Sequence, residues 1–292
     1  MPVVRVNADR LSDWQAELIP GHSWRLVRGE KALESNDCQG VWWRRPDLSF
    51  LVGSRPLDPA EDEVVRDQWR ALLLGLETVP GPRWISSPRA IRAAEDKAHQ
   101  LSLAGALGLD VPQTLWTNSL SAAREFVGNN EGVVAAKSVT SAWWEKGGAG
   151  WFVFARRVTG VDLPHPSDLA AAPVAFQTPI DPKRDVRVTV VGSQVYAAVR
   201  EPETAALGEA APLDWRRGGD LPWVPHELPR DLSSRCAELV ATLGLNFGAI
   251  DLLLQPDGRY CFCEINPNGE WGWLQHSGLP IAEALASLLI DG

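Results

Sequence analysis

The chain has 292 residues, 45% hydrophobic and 22% charged, with a formal net charge of -9. That length supports two or three subdomains with developed cores and excludes a disordered chain, and the acidic balance leaves no basic surface for a nucleic-acid backbone. No apolar run approaches the roughly eighteen residues of a membrane span and the start carries no basic-then-apolar signal, so no membrane partner and a cytoplasmic location are expected. Cys38, Cys236, Cys261 and Cys263 lack zinc-finger spacing and disulfide density, which predicts reduced, buried thiols. Fourteen tryptophans stand against two tyrosines, and several are grouped (Trp42 with Trp43; Trp143, Trp144 and Trp151; Trp271 with Trp273). Such groups either pack a core or line a groove for a peptide.

In chain order, short apolar strands are predicted at 3–6, 24–27 and 41–43, then a helix over 59–76, forming a small α/β unit that ends near Ile85. Ser87-Pro88 caps a long helix that carries Lys97 and stops at Gly108. Strands follow at 114–116, 133–139, 151–155 and 174–177, with a helix at 121–127. Beyond a link at 179–183, two strands at 186–191 and 194–199 turn at Gly192. A helix at 232–243, a hairpin over 249–265 and a helix at 280–289 close the chain.

The hairpin carries the strongest chemical signal. Asp257-Gly258 predicts a two-residue turn with both φ angles positive. Pro256 then faces Arg259, Asp251 faces Glu264, and Ile250, Leu252 and Leu254 share an apolar face with Ile265, Cys263 and Cys261. A one-residue slip would turn Glu264 into that apolar set. In the expected register two carboxylates oppose each other with Asn266 on the same face, and like charges so placed repel unless a cation lies between them. Oxygen donors alone select magnesium or manganese.

Lys137 shares its strand face with Val133, Ala135 and Val139, so its ammonium needs an anion, which phosphate would supply. The stretch 145–150, with Gly147 and Gly148, is flexible enough to bring backbone N–H groups to a phosphate. Residues 176–180, including Gln177, Thr178 and Ile180, offer apolar walls and backbone groups for a planar base.

The order of a helix lysine, a strand lysine, a glycine loop, an apolar linker, Asp185-Val-Arg187, and Asp251 with Glu264-Ile-Asn266 resembles the ATP-grasp superfamily. Trp42-Trp43-Arg44-Arg45-Pro46, Asp214-Trp215-Arg216 and the Asn266-Pro-Asn-Gly-Glu-Trp271 extension bring the resemblance to the maturases of graspetides, the microviridin-type peptide ligases. It implies an α/β, ATP-grasp fold with α+β subdomains: a pre-ATP-grasp domain at 1–86, shortened at its start, a central subdomain at 87–180 and a C-terminal one at 181–292. It further implies ATP held by Lys97, Lys137, Gly147, Gly148, Gln177, Thr178 and Ile180, and Mg2+ held by Asp251, Glu264 and Asn266. Arg187 and Lys137 would clamp an acyl phosphate, with Asp185, Arg187, Arg216 and Asn268 toward substrate.

The implied partner is a ribosomal precursor peptide whose Asp or Glu side chains become esters or amides with Ser, Thr or Lys; a homodimer is left open. Thr178-Pro179 and Glu270 stand where such maturases usually have an acidic residue and a glutamine. Two other readings share these residues: a glutamate-adding ligase that joins a free amino acid or amine, and a peptide-binding scaffold without catalysis. Trp42 to Arg45 is expected to be a structural or docking element.

Overall fold

In the first 85 residues, buried tryptophan and leucine side chains close over a small antiparallel sheet. Strands β1 (Gln15–Ile19), β2 (Ser23–Arg28) and β3 (Lys31–Glu34) pair in that order. Trp14, Trp24, Leu26, Leu73 and Leu76 fill the space between this sheet and helix α1 (Pro59–Gly75). Asp58 starts α1 by accepting from the Ala60 and Glu61 N–H groups, with Pro59 in the first turn. The two-residue strands β4 (Gly40–Val41) and β5 (Arg83–Trp84) pair in parallel. The strand expected at 3–6 is not formed: Val3 is 89% exposed, and of this stretch only Val6 packs against the core. The computed structural model describes residues 3–46, 48, 58–140, 143–146, 149–201, 213 and 221–291.

The single long helix expected after Ser87 is two, α2 (Pro88–Ala94) and α3 (Lys97–Ala106). Asp96 breaks it, because its carboxylate accepts from the N–H groups of Ala98 and His99 and holds its own backbone extended at the start of a new helix. Lys97 thereby becomes a first-turn residue. Next come β6 (Thr114–Thr117), α4 (Leu120–Asn129), β7 (Val133–Ser138), β8 (Trp143–Lys146), β9 (Ala149–Phe152), β10 (Arg156–Thr159), α5 (Pro166–Ala171) and β11 (Val174–Gln177). Strands β10-β7-β11-β6 form an antiparallel sheet. Val134, Val158 and Phe176 face Ala123, Val127 and Leu169 of the two helices. Lys137, odd in the alternation, lies on the other face. The stretch expected to be one glycine loop is mostly a ribbon of β8 and β9, with Lys146 opposite Ala149. Gly147 and Gly148 lie outside the described residues.

The last sheet is the largest: β12 (Arg184–Val191), β13 (Gln194–Arg200), β14 (Trp223–Pro225), β15 (Phe247–Leu254) and β16 (Tyr260–Asn266), in the order β14-β13-β12-β15-β16. Helices α6 (Arg230–Thr242) and α7 (Ile281–Ile290) complete the chain. One face presents Val186, Val188, Ile250, Leu252, Phe262 and Ile265 to Cys236, Leu239 and Val240 of α6. Ile250, Leu252 and Phe262 are 0–1% exposed, and burial of each contributes about 1.5–3 kcal/mol. The opposite face is covered at one end by Leu274, Ile281 and Leu285 and turns polar at the other.

Candidate active site

The polar end is built by alternation along three neighbouring strands. Arg187 on β12 faces Asp251 on β15, which in turn faces Glu264 on β16. Cross-strand neighbours share a face, so the guanidinium and both carboxylates project together, with Asn266 two residues beyond Glu264. The expected opposition of Asp251 and Glu264 is therefore present, but it is reached by another route.

The turn is a three-residue loop rather than the expected two. Gln255 N–H donates to the Arg259 carbonyl, and the Gly258 N–H to the Gln255 carbonyl. Gly258 alone takes a positive φ, of 85°, the geometry of a three-residue hairpin loop. Gln255 thus faces Arg259 and Leu252 faces Phe262, one residue out of the expected register. A β-bulge at Cys263 then restores the pairing of Asp251 with Glu264. In consequence Phe262, and not Cys263 or Cys261, joins the apolar face.

Cys263 instead lies among the charged groups. Burial pushes its thiol up to about 11, and the charges of Lys137, Glu264, Asp251 and Lys97 all reach it. Burial also pushes Cys261 up to about 12. At neutral pH both are neutral thiols, so the available ligands on this face are oxygens.

Each charged group has a defined neighbour. The Lys97 ammonium is 2.8 Å from the Glu264 carboxylate, and Arg187 is 3.2 Å from Asp251. Arg187 is 6% exposed, its guanidinium lies 5.9 Å from the Trp273 ring, and its Nε–H is buried without a hydrogen-bond partner. Lys137 donates to the Gln177 side-chain oxygen at 3.1 Å, and Gln177 donates onward to Thr114 at 2.9 Å. Thr178 Oγ1 bonds Asn130 at 2.5 Å, and its N–H donates to the Gln113 carbonyl; Ile180 stays half-buried beside it.

Two residues that sequence reasoning missed shape the site. Lys183, with a side chain 3% exposed, sits 2.5 Å from Asp185; its signal was a lysine two residues before an acid, on the same strand face. Gln100 on α3 donates from its amide to the Ile265 carbonyl at 2.8 Å and accepts from the Ile265 N–H at 3.2 Å. Being 2% exposed, it does for the edge of β16 what another strand would do. A glutamine on a buried helix face was the readable sign. Asn268 is 6% exposed, and its N–H donates to Asn266 Oδ1 at 2.9 Å. Arg216 lies outside the described residues.

A fit to a divalent cation follows from the donor chemistry. Among the described residues no group of three or more His, Cys, Asp or Glu side chains forms a closed metal cage. Two carboxylates and an amide oxygen are instead the partial set that a magnesium ion uses when phosphate oxygens supply the rest.

Lys97 beside Glu264, with Arg187, Asp251 and Asn266 on the same sheet face, is the arrangement expected of an ATP-grasp ligase, and comparison with solved structures shows that the chain is one. The architecture agrees with the macrocyclase MdnC of Microcystis aeruginosa, solved with its precursor peptide MdnA, at a TM-score of 0.82, 28% identity, and coverage of 96% of this chain and 88% of that one. A ligase from Chryseobacterium gregarium, associated with ribosomally synthesised, modified peptides (RiPPs) and solved with ADP and a leader and core peptide, gives 0.83 at 30% identity, covering 95% and 84%. The macrocyclase MdnB of M. aeruginosa gives 0.75 at 32%, covering 96% and 86%. No family model and no curated protein matches the sequence. The chain belongs to the family of RiPP-associated ATP-grasp ligases. No described helix is long and apolar enough to cross a membrane.

Proposed function

We propose that this ligase uses ATP and Mg2+ to activate Asp or Glu side chains of a ribosomal precursor peptide, and closes rings by joining them to Ser, Thr or Lys side chains of the same peptide. The observation that carries the reading is the line of Arg187, Asp251 and Glu264 across one sheet face, with the Lys97 ammonium 2.8 Å from Glu264. One hairpin provides oxygen ligands, and two separate elements provide cations for phosphate oxygens.

A carboxylate is a poor acyl donor because its oxygen leaves badly. Transfer of the γ-phosphoryl group onto it gives an acyl phosphate, and attack by an alcohol or amine then expels phosphate. Asp251, Glu264 and Asn266 would hold Mg2+, which when bound neutralises charge on the phosphate oxygens. Lys97 and Lys137 bind phosphate oxygens from either side, Lys137 exchanging its neutral partner Gln177 for an anion. Arg187, held by Asp251 and Trp273, stabilises charge as it develops on the acyl phosphate. The segment Gln177, Thr178 and Ile180 borders the adenine, and Asp185 and Asn268 border the peptide. The chain so read comprises a pre-ATP-grasp unit at 1–86 and ATP-grasp units at 87–180 and 181–292.

The test is to incubate the purified protein with ATP, Mg2+ and the precursor encoded beside its gene, and to weigh the peptide. Loss of one water per ring, with ADP formed in equal number, is expected. A gain in mass by one amino acid would mark a glutamate-adding ligase instead, and an unchanged peptide without ADP would mark a scaffold.

A further inference from the structure

The segment Trp42 to Arg45 does not line the acid cluster, yet it grips the loop that leaves it. Arg44 Nη1 donates to the Asn268 carbonyl at 2.5 Å and to the Gly269 carbonyl at 3.3 Å, and its Nη2 lies 2.6 Å from Glu270. Its guanidinium stands 5.6 Å from the Trp42 ring, which stacks on Trp271 at 6.1 Å. Arg45, with a φ of 42°, approaches Glu270 at 3.6 Å. Four consecutive residues, 268 to 271, are thus held by one segment more than two hundred residues away.

That loop decides where Asn266 points. The Asn268 N–H donates to Asn266 Oδ1, so the orientation of this amide oxygen depends on the turn through residues 266–269, whose carbonyls Arg44 holds. From the other side the turn is pressed against β15: a Cβ on Gly269 would come within 2.2 Å of the Ala249 Cβ. We propose that Arg44 is a positioning residue that sets the Asn266 amide oxygen for its cation by clasping the Asn268 and Gly269 carbonyls. The inference rests on the reading of Asn266 as a metal ligand. Glu270 adds little to the clasp, because its side chain is 59% exposed and solvent screens the pair. The carbonyl contacts, on a loop whose Asn268 is buried, hold the geometry, and a guanidinium spans two carbonyls and a carboxylate where an ammonium cannot.

Binding of Mn2+ in the presence of ADP, followed by the loss of the free-ion electron paramagnetic resonance signal, tests this without turnover. Arg44→Ala is expected to weaken Mn2+ binding by about tenfold or more, as loss of an outer-shell support does. Arg44→Lys should recover only part of that loss, and added guanidinium ion should tighten binding to Arg44→Ala but not to wild type. Glu270→Gln should stay within about twofold of wild type. Should Arg44→Ala not fold, Arg44→Lys and Gly269→Ala approach the same loop from its two sides, and both must weaken Mn2+ binding. Wild-type affinity in folded Arg44→Ala, or in both substitutes, overturns the clasp. Failure of the wild type itself to bind Mn2+ with ADP overturns the metal reading beneath it.

Discussion

The two faces of the five-stranded sheet draw on the same strands and obey opposite rules. Toward α6, Ile250, Leu252, Phe262 and Ile265 form a continuous packed apolar surface. On the other face Arg187, Asp251, Glu264 and Asn266 stand in a row, each charge set beside an opposite one. A single extra residue, Cys263, keeps the two sets apart. Without the bulge, the turn at 256–258 would place Glu264 opposite Ile250 in the core. The candidate site is therefore a matter of register as much as of residue type, and the apolar face is what enforces that register.

The largest break in this comparison comes from the packed face. Phe262→Ala should cost about 3–5 kcal/mol of stability through the cavity it leaves, read as a lower midpoint in urea, while kcat per folded molecule stays near wild type. An equal loss in kcat would show that the two faces are not separable. On the charged face the expectation for kcat reverses. Arg187→Ala should lower kcat per folded molecule by about 10²–10³-fold and, by removing one partner of a buried ion pair, also lower the urea midpoint; full product formation would remove Arg187 from the mechanism.

Gln100 bridges the comparison, since it lies in the core yet holds the strand of Glu264. Gln100→Leu leaves the Ile265 N–H and carbonyl unpaired, at about 1–3 kcal/mol. Unlike Phe262→Ala it should also loosen Mn2+ binding, because Lys97 and Glu264 lose their shared support; unchanged binding would confine Gln100 to stability. The smallest effect is shared by both faces. Burial pushes Cys236 and Cys261 up to about 12 from an ordinary value of 9.0. Folded-state values above the unfolded ones mean that the contribution is complete below pH 9 and lost as pH rises toward 12. Stability should fall over that window by on the order of 1 kcal/mol per thiol near pH 10, read as a lower melting temperature. Cys236→Ala should flatten the fall, and an unaltered slope would count against burial of this thiol.

Much of this was legible in the residues. Helix starts at Asp58-Pro59 and Ser87-Pro88 have local causes, and short apolar runs such as the one at Val174–Gln177 mark strands. The row Asp251, Glu264, Asn266 was legible too, although two departures from the expected hairpin cancel to give it. An alternation of period two cannot reveal a bulge in Cys261-Phe-Cys263, where every residue could be buried. The break at Asp96 was written locally but hidden by the apolar spacing that continues through it. Strands β1 and β3 were not legible, because they are short and mostly exposed, and β1 alternates over only five residues. Nor was the grip of Arg44 on residues 268–270, since no local rule links positions so far apart.

Strand β16 lies at the rim of its sheet, and among the described residues no sixth strand covers it. The side chain of Gln100 and the Asp110 carbonyl, which accepts from the Phe262 N–H, occupy that rim instead. Foreign backbones are thereby denied a template for aggregation. The same arrangement makes α3 and β16 a single mechanical piece, so a displacement of the helix would carry Lys97 and Glu264 together and leave their spacing unchanged.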